Sequence, residues 1–136
     1  MACMDPTDEL VTSVFARNCT SRQAMEDVAG KWGILALLAL GEGNHRFNAL
    51  RRKVEGVSEK MLSQTLHALE RDGLVIRDAQ PTNPPHVEYR LTAFGTETAR
   101  QLRSLIALVE GRMDDVLLAR SAYDERRAHE ESRAYA

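Results

Sequence analysis

Residues 45–92 read HRFNALRRKVEGVSEKMLSQTLHALERDGLVIRDAQPTNPPHVEYRLT, and this stretch decides the fold. A short basic segment is followed by a break at Gly56, by a longer segment headed by Ser58, and by two β-rich runs joined by a Pro/Asn loop. This order of short helix, tight turn, capped helix and hairpin is typical of a helix-turn-helix with a β-hairpin wing, a shape that fits a DNA major groove. We therefore predict a mainly α-helical fold with a small β-hairpin (α+β), a winged helix-turn-helix that binds double-stranded DNA.

Length and composition are those of an ordinary soluble protein. The 136 residues suit one domain, and 43% hydrophobic with 28% charged residues is typical of a globule. No apolar run approaches the ~18 residues that span a bilayer, and the first ten residues lack the basic start and apolar core of a secretory signal. We expect a cytoplasmic protein without membrane contact, whose two cysteines stay reduced.

The net charge of −2 does not by itself indicate a nucleic-acid partner, but the charge is unevenly spread. Residues 44–90 carry eight Lys or Arg against six Asp or Glu, whereas the segments on both sides are net negative. A mildly positive segment suits DNA binding by one face, although many unrelated proteins have one too.

Capping residues and apolar periodicity predict the helices that precede Ser58. Asp5 and Pro6 are expected to open a first helix. Thr20 and Gln23 form a capping box for a second helix, which Gly30 ends. Two more helices follow, an almost wholly apolar one from Lys31 to Leu40, expected in the core, and a short one from Ala49 to Val54, capped by Asn48.

The same signals continue to the end of the chain. Ser58 caps a helix that runs to about Asp72, and Gly73 stops it. The remaining elements are strands at Leu74 to Asp78 and His86 to Leu91, and a helix that Thr92 caps and that ends near Leu118. The predicted regions are an N-terminal dimerisation arm (1–18), a winged helix-turn-helix core (19–91), a C-terminal dimerisation helix (92–118) and a charged, flexible tail (119–136).

The helix headed by Ser58 has two distinct faces at 100° per residue. Leu62, Leu66 and Leu69 share one side, which is expected to face the core. The other side carries polar groups that can donate to base edges and phosphates, and the N-terminal end is the one such helices insert into the groove. A solvated face has a similar composition, so the order of the elements carries the prediction. The predicted contacts are Ser58, Glu59, Lys60, Ser63, Gln64, His67 and Arg71.

The wing loop, Gln80 to Pro85, contains three prolines. Their stiffness lowers the entropy lost when the loop docks on a phosphate backbone or in a minor groove. An ordinary surface loop explains the prolines equally well. The predicted contacts outside the helix are Asn83, His86 and Arg90 near the wing, and Arg46 on the turn before the short helix.

Five pieces of sequence occur in a specific order between residues 19 and 110. They are GKW (30–32), RFNALRR (46–52), VSEKMLSQ (57–64), LERDGLV (69–75) and PPHVEYRLT (84–92). In this order they resemble the HxlR-type family of bacterial winged-helix transcription regulators. The resemblance implies a homodimer formed by the first and last helices, with the Ser58 helix of each subunit in a major groove of an inverted repeat. Apolar stripes on those two helices fit such a dimer independently.

Many members of this family carry a cysteine just upstream of the Gly-Lys-Trp helix, and several use it to sense oxidants, quinones or aldehydes. Cys19 occupies that place, although Thr20 follows it where the family commonly has proline. A helix N-terminus and the nearby Arg17 and Arg22 favour a thiolate. The resemblance therefore implies that Cys19 is a redox or electrophile sensor for a small molecule, and the alternative is a buried cysteine that only packs.

Other functions remain open at this level. A winged helix can also grip a partner protein without binding DNA, and a regulator can respond to a non-covalent small-molecule ligand. The polar face of the Ser58 helix argues against the protein-binding alternative. The sequence shows no nucleophile with a nearby base, no Cys/His spacing typical of a metal site and no Gly-rich phosphate loop. We therefore expect a protein that is not an enzyme and that has no metal site and no cofactor.

Overall fold

The computed structural model describes residues 15–17 and 19–135. The predicted helix at Asp5 and Pro6, and most of the predicted arm at residues 1–18, lie outside the described residues. The elements, in chain order, are α1 (Thr20–Ala29), α2 (Lys31–Glu42), β1 (His45–Arg46), α3 (Phe47–Lys53), α4 (Glu59–Arg71), β2 (Val75–Gln80), β3 (His86–Leu91), α5 (Ala93–Gly111) and α6 (Met113–Ala134).

The chain divides into two units. The first ends at Leu102 and contains α1 to α4, the three strands and the first part of α5. The second begins at Arg103 and contains the rest of α5 and α6. Helices dominate beside one small antiparallel sheet, so the predicted winged helix-turn-helix fold is confirmed. Across the described residues, no helix combines the length and apolar content needed to cross a bilayer.

The core of the first unit is made largely of leucines from several elements. Leu37 of α2 and Leu50 of α3 are fully buried, and Leu74 is buried just before β2. From α4 the inner leucines are Leu62, Leu66 and Leu69, which are also buried, as the helical periodicity predicted. Since a fully buried leucine contributes about 1.5–3 kcal/mol, this cluster is the main stabilising feature of the unit.

The ends of α4 match the sequence prediction. Ser58 is its N-cap, and the backbone N–H of Met61 donates to the Ser58 hydroxyl oxygen at 3.1 Å. The chain leaves the helix at Gly73, whose φ of +82° is in the left-handed region that favours glycine. Both ends of α4 are therefore set by local chemistry, which explains why they could be read from the sequence.

The sheet has the order β1-β3-β2, and all its pairs are antiparallel. The hairpin runs in register from Val75 opposite Leu91 to Gln80 opposite His86, and residues 81–85 form the wing loop. β1 was not predicted, because a strand of two residues is too short to show any periodic pattern. It is defined only by its pairing with β3, which is distant in the sequence.

The predicted cap of α1 and the predicted start of α3 are wrong. The N-cap of α1 is Cys19, without a side-chain cap, because the Cys19 carbonyl already accepts the first helical hydrogen bond, from the Gln23 N–H at 3.2 Å. The predicted Thr20 capping box is therefore not formed. Likewise α3 begins at Phe47 with Arg46 as N-cap, instead of being capped by Asn48. The pairing of β1 with β3 ends the extended segment at Arg46 and so determines where α3 begins.

The C-terminal helices differ from the single predicted helix in their bounds. Thr92 caps α5 as expected, since the Gly95 N–H donates to its hydroxyl oxygen at 2.9 Å. The helix breaks at Arg112, and α6 then continues to Ala134, so the predicted end near Leu118 is wrong. Residues 119–134 are rich in both signs of charge, and pairs such as Arg127 with Glu130 (3.7 Å) support a solvated helix at this spacing.

Candidate nucleic-acid interface

The outer face of α4 is the largest group of predicted contacts. Burial of its leucines turns the opposite side of the helix towards solvent. The side chains exposed there are those predicted from the sequence, namely Ser58, Glu59, Lys60, Ser63, Gln64, His67 and Arg71. The face carries amide, hydroxyl, imidazole and cationic donors within one helix, which is the chemistry that reads base edges.

The N-terminal end of α4 is close to α3. Glu59 forms an ion pair with Arg51 of α3, with 3.5 Å between its Oε1 and the arginine Nη1. Both side chains are largely exposed, so the pair adds little to stability. It does neutralise the only acidic group of the predicted face, which lowers the repulsion that a phosphate would meet there.

The wing loop is closed by its own hydrogen bonds. The Thr82 hydroxyl donates to the Pro84 carbonyl at 2.9 Å, and its oxygen lies 3.0 Å from Nδ1 of His86. Asn83 at the tip and Arg90 on β3 are exposed, and His86 is half-buried. The predicted wing contacts thus differ in accessibility, with Asn83 and Arg90 open to a partner and His86 at the edge of a pocket.

That pocket lies between the start of α3 and β3 and has a volume of about 400 Å³. It brings together Arg46 and His86, two predicted contacts from distant parts of the chain. It also includes Arg52, which sequence reasoning missed. Arg52 stands within the run Arg51-Arg52-Lys53, and nothing in that run distinguishes its members without knowledge of their ion pairs.

A second pocket, also of about 400 Å³, lies between α1 and α4. From α4 it is lined by Gln64, His67 and Arg71, and from α1 by Asp27 among others. Lys60, Ser63, Asn83 and Arg90 border neither pocket. Within the described ranges there is no group of three or more side chains suited to a metal ion.

Asp27 and Asp72 face each other at this second pocket. Burial, followed by a hydrogen bond to Asp72 and the charges of Asp72 and Glu26, raises the pKa of the Asp27 carboxyl from 3.8 to about 6, and Arg71 opposes the rise. Oδ2 of Asp72 is buried and accepts no hydrogen bond from the described residues. A proton on Asp27 supplies Asp72 with a donor and links α1 to the C-terminal end of α4.

Cys19 lies at the start of α1, and its side chain is 1% exposed. It is disulfide-bonded, which differs from the expected reduced state, and Cys3, the other cysteine of the chain, lies outside the described residues. The Ser21 hydroxyl donates to its sulfur at 2.9 Å. A pocket of about 260 Å³ is lined by Arg17, Cys19, Gln23 and Glu26.

Arg22 does not join Arg17 at that pocket. Its Nε pairs with Glu26 at 3.2 Å, and its Nη1 donates to the Phe15 carbonyl at 3.1 Å. Of the two arginines expected to favour a thiolate, only Arg17 therefore lines the pocket beside Cys19.

The chain is similar in sequence to known regulators. A model of the HxlR-like helix-turn-helix family matches residues 27–116. A relative in Escherichia coli (strain K12), named as the HTH-type transcriptional regulator YtfH, is 48% identical over 116 residues, which cover 85% of this chain and 90% of that protein.

Solved structures agree with the sequence match. The transcriptional regulator YtfH from Salmonella typhimurium has a TM-score of 0.73 and 47% identity, over 79% of this chain and 96% of that one. The redox regulator HypR in its reduced form has a TM-score of 0.65 and 30% identity, over 71% of this chain and 95% of that one.

The Asp27 carboxyl predicts a specific pH dependence of stability. Its pKa in the folded protein, about 6, exceeds the ordinary 3.8, so between these values the folded state holds a proton that the unfolded chain has lost. The stabilisation is present at low pH and is lost as the pH rises through about 6. Asp27→Asn should therefore raise the free energy of unfolding at pH ~7.5 and flatten its decline between pH ~5 and ~7.5.

Urea denaturation at the two pH values measures both effects. Asp124→Asn, at an exposed position of α6, is the matched control and should follow the wild-type protein. An equal pH dependence in the wild type and in Asp27→Asn would show that the Asp27–Asp72 pair does not titrate as described.

Proposed function

The chain belongs to the HxlR-like helix-turn-helix family of transcriptional regulators, and from this membership we propose that it binds a double-stranded DNA operator as a homodimer. The observation that carries the proposal is the outer face of α4, where every predicted contact side chain is exposed while the inner leucines are buried. Such a regulator works where the chromosome is, in the bacterial cytoplasm.

The face of α4 contains the side chains needed to read a base sequence. Gln64 can pair bidentately with adenine, and Lys60 or Arg71 with the O6 and N7 of guanine. Ser58 and Glu59 are at the N-terminal end of α4. In helix-turn-helix proteins this is the end of the recognition helix that lies nearest the bases. Arg46, His86, Asn83 and Arg90 act beside the helix and hold the protein on the backbone and at the wing.

The exposed apolar side chains of the second unit support the proposed homodimer. On α5, Leu105, Leu108 and Val109 are 54%, 59% and 48% exposed and lie on one side of the helix. On α6, Leu117 and Leu118 are also exposed. A monomer rarely leaves such a stripe in water, and a second copy of the chain would cover it. A twofold dimer would present two α4 helices to an inverted repeat.

Redox control through Cys19 is the third part of the proposal. Formation of a disulfide removes two electrons and two protons from a pair of thiols, and a quinone or a peroxide takes them up. Cys19 begins α1, and α1 borders the pocket that contains Gln64, His67 and Arg71 of α4. A change at Cys19 can therefore reach the DNA-reading face through one helix. The similarity to the redox regulator HypR is consistent with such control.

Gln64→Ala should weaken operator binding by ~1–3 kcal/mol if Gln64 reads a base. Duplexes selected from a random library by the wild-type protein supply the operator, and a fluorescence anisotropy titration measures the affinity. Gln101→Ala, which removes an exposed glutamine of α5, is the control and should bind like the wild type.

The selection also tests the proposed function itself. Enrichment of an inverted repeat, with an affinity that falls steeply as salt is added, is the expected result. If no duplex is enriched and binding is weak at low salt, the chain is instead a protein-binding winged helix.

Leu105→Glu should dissociate the dimer, because a carboxylate in the apolar stripe would be desolvated without a partner. Sedimentation equilibrium should give the 15.2 kDa of one chain for the variant and twice that for the wild type. Ala107→Glu adds the same charge on the opposite side of α5 and should remain dimeric. A wild-type protein that sediments as a monomer at working concentrations would contradict the proposal.

Operator affinity should change at least severalfold between wild-type protein treated with diamide and the same protein reduced with dithiothreitol. Cys19→Ser should abolish the difference, since it removes one sulfur of the disulfide. Cys3→Ser shows whether Cys3 supplies the second sulfur. A response to oxidant that persists in Cys19→Ser would remove Cys19 from the mechanism.

A further inference from the structure

The basic residues around α3 fall into two groups. Arg51 pairs with Glu59 at 3.5 Å, and Lys53 pairs with Glu42 at 2.8 Å. Arg46 and Arg52 have no ion pair with any acidic side chain in the part of the chain that the structure describes. An exposed cation that is left unpaired among paired neighbours is free to bind an external anion.

The unpaired state of Arg46 has a structural cause. Glu88 lies directly opposite Arg46 in the pairing of β1 with β3 and is the nearest acidic residue in that register. The Asn44 side-chain N–H, however, donates to Glu88 Oε1 at 3.2 Å. Glu88 is thus held towards Asn44, and the Arg46 guanidinium remains available at the edge of the sheet.

Arg46, Arg52 and His86 all line the pocket of about 400 Å³ between α3 and β3. The Thr82 hydroxyl donates its proton to the Pro84 carbonyl, so its oxygen accepts from Nδ1–H of His86 at 3.0 Å. This hydrogen bond holds the imidazole ring in place at the edge of the cavity. Two guanidinium groups and an imidazole around one cavity are suited to a phosphate oxyanion.

The pocket also lies where a DNA strand would pass. It is bordered by the start of α3, the helix that precedes α4, and by His86, the first residue after the wing loop. In winged helix-turn-helix proteins, the helix corresponding to α4 occupies the major groove and the wing reaches the adjacent backbone or minor groove. The backbone between these two contacts would run over the pocket.

We infer that the pocket formed by Arg46, Arg52 and His86 binds one phosphodiester group of the DNA backbone, with Arg52 as a contact that anchors the register of α4. This inference rests on the proposed DNA binding and specifies how the backbone is held. A phosphate contact positions the protein but carries no sequence information. Loss of Arg52 must therefore weaken binding to operator and non-operator duplexes alike.

Arg52→Gln tests the inference, with Lys53→Gln as the control, because the neighbouring Lys53 is already paired with Glu42, which is not among the predicted DNA contacts. Affinity is measured for an operator and a scrambled duplex over a series of salt concentrations. For Arg52→Gln we expect about tenfold weaker binding to both duplexes and a slope of log affinity against log salt that is smaller by about 0.9. Lys53→Gln should change the slope by less than half as much.

Two further variants separate the pocket from a general loss of charge or of folding. Arg52→Lys keeps the charge and should retain most of the slope, which a misfolded protein would not. If Arg46 and Arg52 hold the same phosphate, the fold-loss of the double variant Arg46→Gln/Arg52→Gln is smaller than the product of the two single losses. Multiplicative losses would show that the two arginines act on separate groups and would overturn the shared pocket.

The remaining outcomes separate a failure of the proposed function from a failure of the inference alone. If the wild type shows no salt-dependent affinity for any duplex, the proposed function fails and the inference fails with it. If the wild type binds DNA but Arg52→Gln and Lys53→Gln behave alike, only the inference fails. If inorganic phosphate displaces DNA from the wild type no better than chloride of equal ionic strength, and Arg52→Gln has the smaller slope, the pocket takes the backbone phosphate as inferred. If inorganic phosphate displaces DNA better than chloride does, and Arg52→Gln keeps the wild-type slope, the pocket binds free phosphate and the inference is overturned.

Discussion

Burial of three leucines on one side of α4 is the constraint on which the rest of the structure depends. Leu62, Leu66 and Leu69 are fully or almost fully buried, and together they contribute roughly 5–9 kcal/mol, which is comparable to the whole stability of a small domain. Rotation of α4 about its axis would expose them, so the helix has one orientation. The same burial turns Lys60, Gln64 and the other polar side chains outward, and the core thereby determines which residues a DNA duplex would meet.

The anion-binding capacity of this protein's surface depends more on which cations are left without an ion pair than on the total number of charges. The net charge is −2, and no segment is strongly basic. The ion pairs of Arg51 and Lys53 neutralise two cations of α3, whereas Arg46 and Arg52 remain unpaired within the described residues. Two guanidinium groups concentrated at one pocket attract a phosphate more strongly than the same charge spread over the surface. A near-neutral chain can therefore still present a phosphate-binding surface.

Helix α1 connects three features that the sequence left separate. Its first turn follows Cys19, its last turn carries Asp27 opposite Asp72, and it shares a pocket with Gln64, His67 and Arg71 of α4. A proton on Asp27 and a disulfide at Cys19 both act on this helix. In the proposed regulator, α1 is thus the element through which oxidation and pH would reach the DNA-reading face.

The sequence alone determined the order of the elements from α1 to α5 apart from β1, together with both ends of α4 and its buried face. The Ser58 cap, the Gly73 turn and the leucine spacing act within a few residues, so their effect can be read locally. Only the tertiary structure decided β1, the start of α3 at Phe47, the break at Arg112 and the position of Arg52 at the same pocket as Arg46. These features depend on strand pairing, ion pairs and packing between residues far apart in the chain, such as Asn44 and Glu88, and such contacts leave no periodic signal in the sequence.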